Sequence, residues 1–315
     1  MAGSLLLYII KRLLWMIPIV LGVAFLVFLI FEISPNDPAV NILGEYATPS
    51  DIKKFHEEFG LNRPFLLRYA HFVAGLFTGD LGTSFRGAQE VADIIFTRFP
   101  ATVKLTVLSL FVALLIAIPA GIISAVRQYS AFDHISMVVA LLGISIPNFW
   151  LGLVLILFFS VRLEWLPSLY EQGNWLSYLM PALVLGTALS ASTARMMRSS
   201  MLEVIRQDYI TTARAKGLPE KQVIGKHALK NALIPVLTVV GLQFAGMLGG
   251  SAITEKVFSW PGLGAKIVDA QSDFDYPLVL GGVVYIAIVV SLVNLAIDLL
   301  YLLIEPALRA QFAKK

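Results

Sequence analysis

Side chains able to do chemistry are few and scattered in this 315-residue chain. It has no cysteine, which excludes disulfides, thiolate metal sites and a cysteine nucleophile. His56, His71, His134 and His227 lie far apart without the spacing of a zinc site. There is no G-x-S-x-G, no H-E-x-x-H and no paired carboxylate, so catalysis has no visible carrier and the chain reads as a non-enzyme with no cofactor of its own. The nearest fragment to a phosphate loop is Gly225-Lys226-His227, but Glu220 stands where the first glycine belongs and His227 where a hydroxyl belongs. Two kinds of polar feature remain. One is a pair of uncharged amides in apolar surroundings, Asn148 within "GISIPNFW" and Gln243, with Met247 one turn further on. The other is Asp208–Pro235, "DYITTARAKGLPEKQVIGKHALKNALIP", where Arg214, Lys216, Lys221, Lys226 and Lys230 crowd together.

The elements that must position these groups are apolar. Composition is 57% hydrophobic and 14% charged, against roughly 25% charged in soluble domains, and mean hydropathy is +0.79. Such a chain is a polytopic membrane protein, and nothing in it points to nucleic acid. A span needs about 20 mainly apolar residues. Six stretches qualify: Ile9–Phe31, Ala101–Val126, Ile135–Val161, Tyr178–Met197, Ala232–Ile253 and Pro277–Ile304. The first is long for a signal-peptide core, and no small-x-small cleavage site follows it before Glu32, so it reads as an uncleaved helix.

Charge between the spans sets orientation. Arg195–Lys230 carries eight basic and three acidic residues, net +5. Glu32–Pro100 carries six basic and nine acidic residues, net −3, and Thr254–Tyr276 two basic and four acidic, net −2. The acidic segments are expected outside. Both termini are expected in the cytoplasm, in agreement with Lys11, Arg12, Arg309, Lys314 and Lys315.

Pro147 removes a backbone donor midway along the third span, and Asn148 adds an amide there. Broken backbone at membrane depth is tolerated where it is buried in protein or lines a watery cavity. Two readings stand: a proline kink with Asn148 bonded to a neighbouring helix, or a translocation pathway; Gln243 and Met247 carry the same ambiguity. Lys104 and Asp298 lie near span ends, where side chains reach the interface. The 69-residue outer segment Glu32–Pro100 is too long for a plain connection. Within it Thr48–Gly60 predicts an amphipathic helix, capped at Ser50 and apolar at Ile52, Phe55 and Phe59, with lid, docking and packing roles open and packing preferred.

In the basic segment the pattern predicts two short helices, from about Leu202 to Lys216 and from Pro219 to Asn231. Gly217 closes the first in a left-handed conformation, and Pro219 opens the second. Val223, Ile224, His227 and Ala228 share one face of the second. A projecting pair of helices fits a groove on another protein; a basic loop lying on anionic lipid fits equally well.

The wording of the segment separates the two. "ARAKGL", followed ten residues after its glycine by "HALKNALIP", resembles the cytoplasmic coupling loop of ABC-importer permeases. Thr211-Thr212-Ala213 replace the E-A-A of the general motif and Lys230 replaces its proline, as in the dipeptide, oligopeptide and nickel permease group. "IIKRLLWMIPIVLGV", "GDLGTSF", "SIPNFWLG", "RSSMLEV" and "TEKVFSWPGLG" are similar to the same group, and the long outer segment resembles its B-type member.

What this resemblance implies is an all-α inner-membrane permease with six transmembrane helices and a type I core. Residues 1–100 hold the first span and a structured outer segment, 101–304 the core with coupling helices at 202–231, and 305–315 a cytoplasmic tail. The implied partners are a second permease, two ABC ATPases that bind ATP and Mg, an external substrate-binding protein, and membrane lipid. The coupling residues are Asp208, Tyr209, Thr212, Ala213, Arg214, Ala215, Lys216 and Gly217, with the partner pressing on the small-residue elbow at Ala213, Ala215 and Gly217. The cargo is a di- or oligopeptide, with nickel or a nickel chelate as the alternative; a stand-alone transporter or channel is the alternative of another class.

Overall fold

The computed structural model describes residues 2–44 and 46–304; the tail at 305–315, with Arg309, Lys314 and Lys315, lies outside the described residues. Among the described residues there are no named strands, and helices follow the apolar runs. Helix α1 (Ala2–Ile33) is the first span. The outer segment folds as α2 (Pro38–Leu43), α3 (Pro49–Glu58) and α4 (Phe65–Thr78). The predicted amphipathic helix is α3, but its cap is Thr48 rather than Ser50. Thr48 and Asp51 each accept from the other's backbone N–H, a capping box, and donation from the Thr48 hydroxyl, then from its N–H, holds the Asp51 carboxyl below its ordinary range. Ile52, Phe55 and Phe59 pack with Ala39 of α2 and with Phe85.

Helix α5 (Val91–Val126) begins well before the predicted Ala101 because Val91 and Ile95 are buried against the start of the last span. The third span is two helices, α6 (Ala131–Ser145) and α7 (Asn148–Leu155), the latter continuing as a π-helical stretch to Arg162. They meet at 100°. A continuous kinked helix over Ile135–Val161 is therefore replaced by a break. Pro147 cannot donate, and Gly152 lets α7 seat against Phe258, 3.1 Å from where a Cβ would lie.

After a 3-10 turn at Trp175–Tyr178, α8 (Leu179–Ile205) forms the centre of the bundle. It lies close against α5: a Cβ on Gly121 would meet the Ala194 carbonyl at 2.8 Å. Small residues drive such contact between membrane helices, where lipid offers no hydrophobic contrast. Then come α9 (Asp208–Ala215) and α10 (Glu220–Gln222), which runs through a π-helical turn at Val223–Ala228 into α11 (Leu229–Gly250).

The predicted second short helix is thus the basic end of the fifth span. Buried Val223, Ala228, Ala232, Val236 and Val240 explain the continuity. The first step in that stripe is five residues and the rest are four, so the wider π turn keeps it on one face. The predicted first short helix also divides, since Leu202–Ile205 belongs to α8. The chain ends with α12 (Ala252–Val257), α13 (Leu263–Ser272) and α14 (Tyr276–Ile304). Helix α14 lies antiparallel to α1, with Phe31 stacked on Tyr276 at one end and an Arg12–Asp298 ion pair of 2.7 Å at the other.

Candidate functional site

Helix α9 is the polar projection at one end of the bundle. Ile210 and Ala213 turn inward onto Met197, Met201, Val223 and Ala228. Asp208, Thr211, Thr212 and Ala215 lie on the opposite side, and all four are exposed, as are Tyr209, Arg214, Lys216 and Gly217. Ala213 is 7% exposed, so its side chain packs the elbow from within and is not itself a surface for a partner. Thr211, absent from the candidate set, lies on the outward face. The signal that could have found it is the 100° helical step from buried Ile210.

The elbow is held by short-range bonds. Thr212 Oγ1 donates to the Asp208 carbonyl at 2.9 Å. Asn231 Nδ2 donates to the Tyr209 hydroxyl at 2.7 Å, tying α9 to α11. Arg214 grips Glu220 through Nε at 3.2 Å and Nη2 at 2.8 Å, which raises the guanidinium pKa further. Gly217 has φ +76 and open space where a Cβ would lie, so the turn requires glycine for its backbone and not for room. Charge at Asp208 and Lys216 has no ion-pair partner among the described residues. Chemically this end offers a rigid, mixed-polarity knob, with no nucleophile or acid–base pair.

Just behind it, Asp133 at the start of α6 is 1% exposed and takes a bidentate bond from Arg198 of α8, at 2.6 and 2.7 Å. Ser200 Oγ donates to the Ala232 carbonyl, joining α8 to α11. Neither contact has a motif signal beyond the presence of "RSSMLEV".

The three pathway candidates are not brought into one place. Asn148 is half-buried at the start of α7 and has no hydrogen-bond partner among the described residues. The Gln243 amide is fully occupied by α8: Oε1 accepts from Thr193 at 3.0 Å, and Nε2 donates to Ser192 Oγ at 2.7 Å and to the Leu189 carbonyl at 3.3 Å. Met247 is 7% exposed in a core cluster with Leu105, Ala182, Leu185 and Trp260. Gln243 and Met247 are packed here; Asn148 keeps a free amide beside a broken helix.

At the opposite end two buried carboxylates anchor the "TEKVFSWPGLG" and "GDLGTSF" motifs. Glu255, 0% exposed, accepts from Thr102 Oγ1 at 2.8 Å, Ser251 Oγ at 2.9 Å and the Ala265 N–H at 2.8 Å. The "PGLG" turn wraps it so closely that a Cβ on Gly262 would lie 2.3 Å from Oε2. Asp275 accepts from the Phe85 N–H at 3.0 Å and from the Ser84 hydroxyl, fixing "GDLGTSF". Neither acid was singled out from sequence, because nothing local marks an acid as buried.

A broken-helix membrane bundle with a polar helical knob on one end is the architecture of a transporter's membrane subunit. Residues 117–310 match the model for binding-protein-dependent transport system inner membrane components, and residues 5–106 match the N-terminal component of such proteins. The chain belongs to that family, a family of ABC-transporter permeases, which are multi-pass membrane proteins and not themselves enzymes; such systems work with ATPase subunits and a substrate-binding protein. It is 42% identical to the dipeptide transport system permease protein DppB of Alkalihalophilus pseudofirmus, covering 96% of this chain and 99% of that one. To the glutathione transport system permease protein GsiC of Escherichia coli it is 43% identical, over 96% and 98%. Its fold is similar to the MetNI methionine ABC transporter in an inward-facing conformation, with TM-score 0.54 and 22% identity over 67% of this chain and 96% of that one.

Proposed function

We propose that this chain is the permease subunit through which an ATP-driven importer moves short peptides across the inner membrane. The observation that carries this reading is the α9 knob, bonded rigidly to α10 and α11 yet presenting an unpartnered face. Two relatives that it matches over nearly their full length are named for a dipeptide and for glutathione, itself a short peptide.

In this reading the +5 segment faces the cytoplasm together with both termini. A second, similar permease completes the pathway, and two ATPases bind ATP and Mg outside this chain. Closure of the ATPase pair presses on Asp208, Thr211, Thr212, Ala215 and Lys216. The load passes through Ile210 and Ala213 into the α8–α11 core, and Tyr209, Arg214 and Gly217 keep the elbow stiff. Asn148, at the 100° break between α6 and α7, faces the pathway when the helices swing; Gln243 and Met247 serve as packing between helices.

Because the chain has no cysteine, single cysteines can test the contact directly. Thr212→Cys or Ala215→Cys should cross-link to an ATPase subunit with a short bifunctional reagent, whereas Lys53→Cys at the other end should not. Failure at both α9 positions, with the complex intact, rejects the contact. Ligand released from the co-purified binding protein decides cargo: a short peptide supports the reading, and a nickel chelate overturns it.

A further inference from the structure

Helix α4 is too short to cross a bilayer, at 14 residues or about 21 Å, yet its contacts fix it at membrane depth. The Tyr69 hydroxyl donates to the Leu21 carbonyl of α1 at 2.9 Å. Phe65 and Tyr69 meet Phe25 and Phe28 edge-on. Tyr69, Phe72 and Leu76 join a cluster built on Ala24 of α1 and on Leu280 and Val284 of α14. Leu21 lies about 18 Å, and Phe28 about 8 Å, inside the Ile33 end of α1 at 1.5 Å per residue. These are positions along the apolar length of two membrane spans, not beyond their ends.

Around α4 the side chains sort into sectors. At 3.6 residues per turn, Phe65, Tyr69, Phe72 and Leu76 form the sector that packs on α1 and α14. Arg68 and His71 fall on one flank and line a cavity of about 670 Å³, where Arg68 pairs with Glu32. Leu66, Ala70, Val73 and Phe77 fall within about 60° of one another on the other flank, nearly opposite Arg68 and His71. Leu66 is 71% and Phe77 77% exposed. Leu26 and Ile30 of α1 are exposed as well, at 59% and 66%. A short helix with one charged flank and one bare apolar flank, held at this depth, has the form of an interfacial membrane helix.

We propose that α4 is embedded in the leaflet at the end opposite α9, with the Leu66, Ala70, Val73 and Phe77 flank covered by lipid acyl chains and the Arg68 and His71 flank bordering the polar cavity. It is a membrane element in addition to the spans, and it braces α1 against α14 from the side.

Spin labels on Leu66→Cys and Phe77→Cys, in the full transporter complex reconstituted into lipid nanodiscs, report the surroundings of α4. Ile30→Cys serves as the lipid reference and Lys53→Cys as the water reference. Oxygen collisions at both α4 sites should exceed those with a water-soluble nickel chelate several-fold, as at Ile30, and the ratio should reverse at Lys53. Preferential nickel access at Leu66 and Phe77 would place the flank in water and overturn the proposal. Low access to both reagents would show a protein partner covering it, and would overturn the proposal equally.

Discussion

Gly217 and Glu255, both within the quoted motifs, act in different ways. At Gly217 the backbone is left-handed and the surrounding space is open. Gly217→Val therefore strains the turn by about 1–2 kcal/mol or more without any clash, and is expected to abolish uptake while membrane insertion persists. Gly217→Asn, which tolerates that conformation, should keep most of it. Uptake and substrate-stimulated ATP hydrolysis in proteoliposomes check both variants, and equal activity of Val and Asn would show that the φ requirement is irrelevant. Glu255 acts through satisfaction of donors. Glu255→Ala leaves the Thr102 and Ser251 hydroxyls and the Ala265 N–H without their acceptor, each costing about 1–3 kcal/mol if it stays buried and unmet. A clearly lowered thermal midpoint of the purified complex is expected; an unchanged midpoint would mean that water replaces the carboxylate. Gly217 was readable from the sequence, because a glycine between a helix and a proline has few other reasons to be there. Glu255 was not, since its role depends on Thr102, far away along the chain.

Helices and their joints are where physical context overrode pattern. Apolar length sufficed to find five long spans and the stretch that folds as the bent α6–α7 pair, and the basic loop sufficed to find the α9 region. Boundaries moved wherever burial extended an element: Val91 and Ile95 lengthened α5, and the Val223-to-Val240 stripe fused the second predicted helix with α11. Pro147 signalled an interruption, but its 100° angle depends on what α7 packs against, chiefly Phe258 beside Gly152. Asp133–Arg198 is the joint to probe here, because it ties α6 to α8 behind the knob. Arg198→Met should destabilise the protein by about 3 kcal/mol by stranding a buried carboxylate. Adding Asp133→Leu should recover part of that loss. Thermal unfolding of the two single variants and the double variant measures the coupling, and strictly additive effects would show that the pair does not interact energetically.

At the scale of the whole molecule, an uneven charge distribution and a two-ended architecture agree. The knob and the Arg12–Asp298 pair mark one end; the Glu255 and Asp275 anchors and helices α2 and α3 mark the other. The chain carries no phosphate loop, and in the proposed reading work enters through α9 from another protein. Uptake of a labelled dipeptide into proteoliposomes, comparing the chain alone with the chain assembled with its partner permease, ATPases and binding protein, bears on this directly. Transport should require the complete assembly and ATP, and should vanish with Gly217→Val. Dipeptide carried by the chain alone, without ATP, would contradict the account.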